Sequence, residues 1–302
     1  MHPEWLDGMR SFGVTSWWHF LCVGATFNVL AWTVSAAALR RRRPSMSMEG
    51  YVACRTQLML SAVYVFGCAF RSALPVYDIP RLCLFNWWIS SVIVGRSVAT
   101  LAELCFVAQW ALLLRRSARA TGSAAASSVS GAVVPLIAIA EACSWYSVLT
   151  TSNVGHVLEE SIWGSTATLL VASMIFMRAR AVGAQRRMFL GWSVAGAAYV
   201  GFMFLHDVPM YLSRWVADEA RGRRYLSIAQ GLFDVSHHRV VSHRWQDWNS
   251  EIAWMSLYFS VAVWISISLV HAAVREATSA AASLDRPLIA ASGSPLIGGD
   301  LR

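Results

Sequence analysis

The chain has 302 residues, of which 56% are hydrophobic and 14% are charged, and its mean hydropathy is +0.47. Soluble domains carry about 25% charged residues, so this composition excludes an ordinary soluble protein and predicts a multi-pass integral membrane protein with the lipid bilayer as its main partner. All 25 residues of the Lys+Arg count are arginine, which excludes mechanisms that need a lysine amine. We expect no nucleic-acid partner, and the sequence leaves both the particular membrane and the oligomeric state open.

The apolar segments predict an all-α fold, a polytopic membrane bundle of seven transmembrane helices. A bilayer core needs about 20 apolar residues of helix, and seven stretches reach that length. In chain order they are 17–39, 51–74, 87–114, 131–150, 157–177, 188–215 and 252–273. They make one domain over residues 1–275. Glutamates interrupt the fourth and fifth stretches, so a re-entrant hairpin stays an alternative for that pair.

The arginines predict the orientation of the bundle, because short loops retained in the cytoplasm are enriched in basic residues. The segments on one side carry 14 arginines and those on the other side carry 7, and the densest block, Arg40–Arg43, follows the first stretch. We therefore expect the N-terminus outside and the C-terminus inside. Glu4 and Asp7 precede the first apolar run, the reverse of the charge order in a signal peptide.

Three segments between or after the spans have a distinct composition. Ser117–Ser130 is rich in Ala, Ser and Gly and predicts a flexible inner loop, and residues 276–302 predict a flexible cytoplasmic tail. The outer loop from Val216 to Trp248 alternates aromatic and charged residues in its first half, which predicts a short helix lying in the membrane interface.

Ionisable residues within the spans concentrate in the predicted outer half. Such residues are costly in a bilayer unless they face a partner or water, so each is a candidate for function. His156, Glu159 and Glu160 follow the i, i+3, i+4 spacing that places them on one helix face. The full candidate set is Arg71, Arg96, Glu103, Glu141, His156, Glu159, Glu160, His206, Asp207 and Arg214.

The chemistry of these side chains predicts three roles. His156, Glu160, His206 and Asp207 have the ligand types of a divalent metal site for Zn or Fe. The candidate catalytic acids and bases are Glu159, Glu160 and Asp207. The candidate substrate-binding residues are Arg71, Arg96, Glu103, Glu141 and Arg214, with the arginines suited to a phosphate or carboxylate. The loop histidines His237, His238 and His243 could add imidazoles, although solvation is the simpler interpretation.

Three functional classes stay open. We favour a membrane-embedded enzyme, a hydrolase or transferase, that acts on a lipid or lipid-linked substrate, because the outer-half bias suits one accessible site. A proton-coupled transporter would use Arg96, Glu103 and Glu141 near the midplane, although no internal repeat supports it. A seven-helix ligand-sensing or scaffold protein is the third class. A purely structural ion pair between Arg96 and Glu103 or Glu141 is the simplest alternative to any function.

Overall fold

A computed structural model of the chain describes residues 13–181 and 183–272. The structure is 84% helical, and within those two ranges seven helices are long and apolar enough to cross a membrane. The predicted all-α bundle with seven long apolar helices is therefore confirmed, and it is compatible with a multi-pass integral membrane protein. The predicted flexible tail, residues 276–302, lies outside the described residues.

Each predicted span overlaps one of the long helices. The first five helices are α1 Val14–Arg42, α2 Met48–Ala73, α3 Val92–Thr121, α4 Ala124–Thr150 and α5 Val154–Arg178. Helix α6 consists of Gly183–Phe202, a π-helical turn Met203–Asp207, and Val208–Ala220. The short helix α7 is Ile228–His237. Helix α8 consists of Trp245–Leu257, a π-helical turn Tyr258–Ala262, and a last segment that ends at Ala272.

The predicted flexible loop at Ser117–Ser130 is wrong. Helix α3 continues to Thr121 and α4 begins at Ala124, so two residues connect them. Gly122 adopts a left-handed conformation with φ of 63°, which ends α3, and the Ser123 side chain accepts a hydrogen bond from the Ala126 amide, which caps α4. Alanine has the highest helix propensity, so the low-complexity sequence extends two helices once both ends are capped.

The fourth and fifth stretches form two separate long helices rather than a short re-entrant hairpin. Helix α4 has 27 residues and α5 has 25. The two helices pack along each other, and Gly155 makes this possible because a side chain there would collide with the Cys143 carbonyl. Close approach at small residues is a common way to pack helices in membranes.

The two ends of the bundle differ in chemistry. One end of the bundle carries three short strands, β1 Val76–Tyr77, β2 Leu82–Cys83 and β3 Val240–Val241, together with α7. We call these elements and the turn between β1 and β2 the cap, and this end of the bundle the cap end. Strand β2 pairs antiparallel with β1 and parallel with β3. The opposite end, the arginine end, includes Arg40–Arg42 in the last turn of α1. The sequence predicts that the cap end faces outside. Helix α7 provides the short helix predicted in the outer loop, but the start of the predicted segment belongs to α6.

Arg81 fixes the cap onto the bundle. It is a buried residue with a left-handed φ of 57°, and its Nε lies 2.7 Å from Asp234 Oδ2 on α7. Its Nη2 donates to the Val148 carbonyl near the end of α4 at 2.8 Å. One side chain therefore joins the β1–β2 turn, α7 and α4 at the end of the bundle where the candidate residues gather.

Candidate functional site

A cavity of about 980 Å³ lies inside the bundle, with α6 and α8 lining two of its walls. Apolar and aromatic side chains line the part nearer the arginine end, among them Trp110, Leu170, Met174 and Trp192. Charged side chains line the part nearer the cap end, among them Arg71, Arg96, Glu103, Glu159, Glu160, Arg214 and Glu251. The cavity is therefore amphipathic along its length.

Arg96 forms the centre of the charged part. Its side chain is 7% exposed, and its Nη2 lies 2.7 Å from Glu141 Oε2, 3.1 Å from Glu159 Oε1 and 3.5 Å from Glu103 Oε2. Its Nη1 lies 4.0 Å from Asp78 Oδ2 in the cap. We call these five residues the Arg96 cluster. The bundle thus brings carboxylates from α3, α4, α5 and the cap onto one guanidinium.

Neutral donors complete part of the Arg96 cluster. The Tyr258 hydroxyl donates to Glu103 Oε1 at 2.6 Å, and the Thr100 hydroxyl donates to Glu141 Oε2 at 2.6 Å. Three buried atoms of the cluster, Asp78 Oδ1, Arg96 Nε and Glu141 Oε1, nevertheless have no hydrogen-bond partner. Four carboxyl groups around one guanidinium leave a negative surplus, and charge balance at a buried site needs protons or a cation.

His156 and Glu159 form a second functional feature on the same wall. The His156 Nδ1 lies 2.7 Å from Glu159 Oε2, and the His156 amide donates to Ser147 Oγ at 2.8 Å, which fixes the start of α5 against α4. The imidazole lines the cavity, with its centre 4.9 Å from the ring centre of Tyr211. A carboxylate that holds Nδ1 orients the imidazole and leaves Nε2 available for proton transfer.

Seven of the ten predicted site residues line this cavity, and the other three do not. Glu141 lies behind Arg96, which it contacts directly. Asp207 is buried in the π-helical turn of α6, whereas its neighbour His206 is exposed and lies against Phe202, with ring centres 5.3 Å apart. His237 and His238, at and just after the end of α7, are exposed in the cap, where they contact the Phe233 carbonyl and the Asp234 carboxylate.

The structure does not assemble the predicted metal ligands His156, Glu160, His206 and Asp207. Within residues 13–181 and 183–272, the group whose ligand atoms lie within 4.8 Å of one another is Glu103, Glu141 and Glu159. Arg96 Nη2 contacts all three of these carboxylates. The Zn or Fe site therefore stays a prediction. The three carboxylates that do converge already share the guanidinium group of Arg96.

The contacts between α6 and α8 were not predicted from the sequence. The rings of Phe202 and Trp254 stack with centres 5.6 Å apart, and Arg214 Nη2 lies 3.8 Å from Glu251 Oε1. A π-helical turn begins directly after Phe202 in α6, and another begins at Tyr258 in α8. Such turns are rare and often occur at functional sites. The hydrophobic periodicity of the sequence does not predict them.

Tyr77 brings a phenol from the cap to the cavity. Burial raises the pKa of Tyr77, and the negative charge of Glu251 raises it further, while Arg214 opposes the shift. The phenol therefore stays protonated at neutral pH and can donate a hydrogen bond.

Comparisons with protein-family models, with curated proteins and with solved structures find no significant match to this chain. Its function is therefore inferred from the geometry of the site. That geometry combines an apolar compartment with an imidazole and several carboxylates, which together can bind an amphipathic molecule and move a proton at its polar end.

Proposed function

We propose that this protein is a membrane-embedded enzyme, a hydrolase or transferase, that acts on the polar end of a lipid-type substrate. The observation that carries the proposal is the amphipathic cavity, which has a charged part beside His156 and an apolar part open to the side of the bundle. A site of this kind suits a molecule with an apolar chain and a polar reacting group.

The exposed residues of the cavity wall indicate how such a substrate enters. Leu257 and Val261 of α8 line the cavity and are also 53% and 43% exposed on the bundle surface. Ala195 and Ala198 of α6 likewise line it and are exposed. The apolar part is thus continuous with the surface that a bilayer would cover. A lipid chain could enter between α6 and α8 without crossing water.

His156 is the proposed general acid and base. Glu159 contacts His156 Nδ1 through Oε2 and Arg96 through Oε1, so the carboxylate is held from both sides and the imidazole is held in turn. The free Nε2 would accept a proton from water in a hydrolase, or from a substrate hydroxyl in a transferase, and return it to the leaving group. Glu160, next along the helix, lies at the same wall of the cavity.

A lipid-turnover assay tests this proposal. The purified protein in nanodiscs would be incubated with a total lipid extract, and products identified by mass spectrometry. Because general acid–base catalysis contributes about 10²-fold or more, His156→Asn should lower the turnover by at least that factor. The control is His237→Asn, which changes an exposed histidine of the cap and should leave turnover unchanged. Equal turnover by the two variants, or none by the wild-type protein, would contradict the proposal.

A proton-coupled transporter is the second candidate, and the negative surplus of the Arg96 cluster favours it. Carboxyl groups that share one guanidinium can bind and release protons during a transport cycle. In liposomes loaded with a pH-sensitive dye, this function predicts a solute-driven proton flux that Glu103→Gln reduces. Absence of flux for every lipid or solute tested would count against it.

A further inference from the structure

We infer that the ligand of this cavity is an amphipathic amine, with its ammonium group among Glu103, Glu159 and Glu160 and its chain in the apolar part. The inference rests on the proposed function because it concerns the same cavity, and it names the substrate class. It departs from the expectation that the arginines bind a phosphate or carboxylate.

The balance of charge around the cavity is the first argument. Three guanidinium groups, those of Arg71, Arg96 and Arg214, face or adjoin it. Six carboxyl groups do so, those of Asp78, Glu103, Glu141, Glu159, Glu160 and Glu251. At the rim, Asp218 is already paired with Arg221 and Arg223 at 3.0 and 2.8 Å. The deeper part therefore has three more carboxyl groups than guanidinium groups, and an organic cation can replace the protons that would otherwise balance them, whereas an anion cannot.

Two of the three arginines, Arg96 and Arg214, already contact carboxylates, although Arg96 Nε has no hydrogen-bond partner. Arg96 is surrounded by the four carboxylates of its cluster, and Arg214 lies 3.8 Å from Glu251. Arg71 lies over the rings of Tyr258 and Phe259, with its Cζ 5.8 and 5.5 Å from their centres. A phosphate would have to displace carboxylates from Arg96 or Arg214, or bind at Arg71 alone.

The unpaired acceptors are the second, independent argument. Glu141 is 3% exposed, and its Oε1 has no hydrogen-bond partner; the same holds for the buried Asp78 Oδ1. In the described part of the chain, Glu160 makes no hydrogen bond or ion pair, although it lines the cavity. Arg96 Nε is an unpaired donor in the same cluster, but the unpaired carboxylate oxygens in and behind the wall outnumber it. An alkylammonium group has up to three N–H donors and a positive charge, whereas an anion would add further acceptors.

The aromatic lining is the third argument, and it favours an organic cation over a metal ion. Trp163, Tyr199, Tyr211 and Trp254 line the cavity near the carboxylates, and aromatic faces attract ammonium groups. A metal ion bound by Glu103, Glu141 and Glu159 would have to displace Arg96, which contacts all three. An amine at Glu160 can bind while Arg96 stays in place.

A binding experiment with matched probes tests the inference. Dodecylamine and dodecyl phosphate have the same chain and opposite charge, and equilibrium dialysis against wild-type protein in nanodiscs would measure both, with empty nanodiscs as the blank. We expect the amine to bind at least tenfold more tightly. Glu160→Gln should weaken amine binding about tenfold, and the control Glu49→Gln, an exposed residue at the start of α2, should not change it.

The results that overturn the inference are specific. Tighter or equal binding of dodecyl phosphate would show that Arg71 dominates the site, and amine binding that Glu160→Gln leaves unchanged would place the cation elsewhere. If Glu160→Gln does not fold, Glu103→Gln, which changes another of the three proposed ligand carboxylates, provides the comparison. Specific amine binding without any turnover would leave this inference standing while the enzyme proposal fails, and turnover of lipids that lack an amine would do the reverse.

Discussion

The Arg96 cluster and a second polar cluster, formed by Gln57, Gln109 and Ser266, are both buried between helices of the bundle. In the second cluster, Gln57 Nε2 donates to the Gln109 carbonyl at 2.9 Å, and Gln109 Nε2 donates to the Gln57 carbonyl at 3.1 Å. The Ser266 hydroxyl donates to Gln109 Oε1 at 2.6 Å. This Gln109 cluster joins α2, α3 and α8 through hydrogen bonds between neutral groups.

The difference between the two clusters separates structure from function. The Gln109 cluster is uncharged and lies outside the cavity wall, and one amide oxygen, Gln57 Oε1, is its unpaired atom. Such interhelical hydrogen bonds hold membrane helices together. The Arg96 cluster is charged and unbalanced, and four of its five members line the cavity beside His156. We therefore assign helix packing to the Gln109 cluster and propose ligand binding for the Arg96 cluster.

The largest effect is expected at Arg96. Arg96→Leu leaves four carboxyl groups buried without a countercharge, and removal of one partner from a buried ion pair costs about 3–5 kcal/mol. Unfolding of the purified protein in detergent would measure this loss. The double variant Arg96→Leu with Glu141→Leu should recover part of it, because it removes the closest carboxylate. A loss below about 1 kcal/mol for Arg96→Leu would contradict the assigned contacts.

A smaller loss of stability is expected at Gln109. Gln109→Leu removes the hydrogen bonds to Gln57 and Ser266, and interhelical hydrogen bonds contribute about 1–2 kcal/mol at most in membranes. The same unfolding assay measures the loss. Binding of the cavity ligand should be unchanged, because Gln109 does not line the cavity. A variant that kept full stability but lost binding would reverse the roles of the two clusters.

The smallest change in stability is expected at the contact between α6 and α8. Phe202→Leu keeps most of the apolar volume and removes the stacking on Trp254, which is worth about 0.5–1.5 kcal/mol in aromatic pairs. A looser contact should let ligand associate faster, so stopped-flow tryptophan fluorescence should show an increased association rate. An unchanged or slower rate would contradict entry between these helices.

Hydropathy and residue spacing predicted the bundle well, because each span is a local property of its own sequence. The sequence predicts an ion pair between Arg96 and Glu103 or Glu141, and Arg96 Nη2 does lie 3.5 Å from Glu103 and 2.7 Å from Glu141. Asp78 and Tyr258 could not be assigned as partners, because only tertiary packing brings the cap and α8 to that face. His206 and Asp207 were predicted to belong to one metal site. Both lie in a π-helical turn, where the 3.6-residue period of an α-helix does not predict which side of the helix a residue faces.

The stability of Glu160→Gln tests the central claim most directly, because residues kept for ligand binding are commonly placed at a cost in stability. Glu160 lines the cavity without an ion pair among the described residues and lies in a field of other carboxylates. If the charge serves a ligand, the unliganded variant should unfold at the same or a higher temperature than the wild-type protein, with a gain of up to about 1 kcal/mol. A loss of more than about 1 kcal/mol would show that Glu160 holds the bundle together, and it would contradict a ligand-binding role for this wall of the cavity.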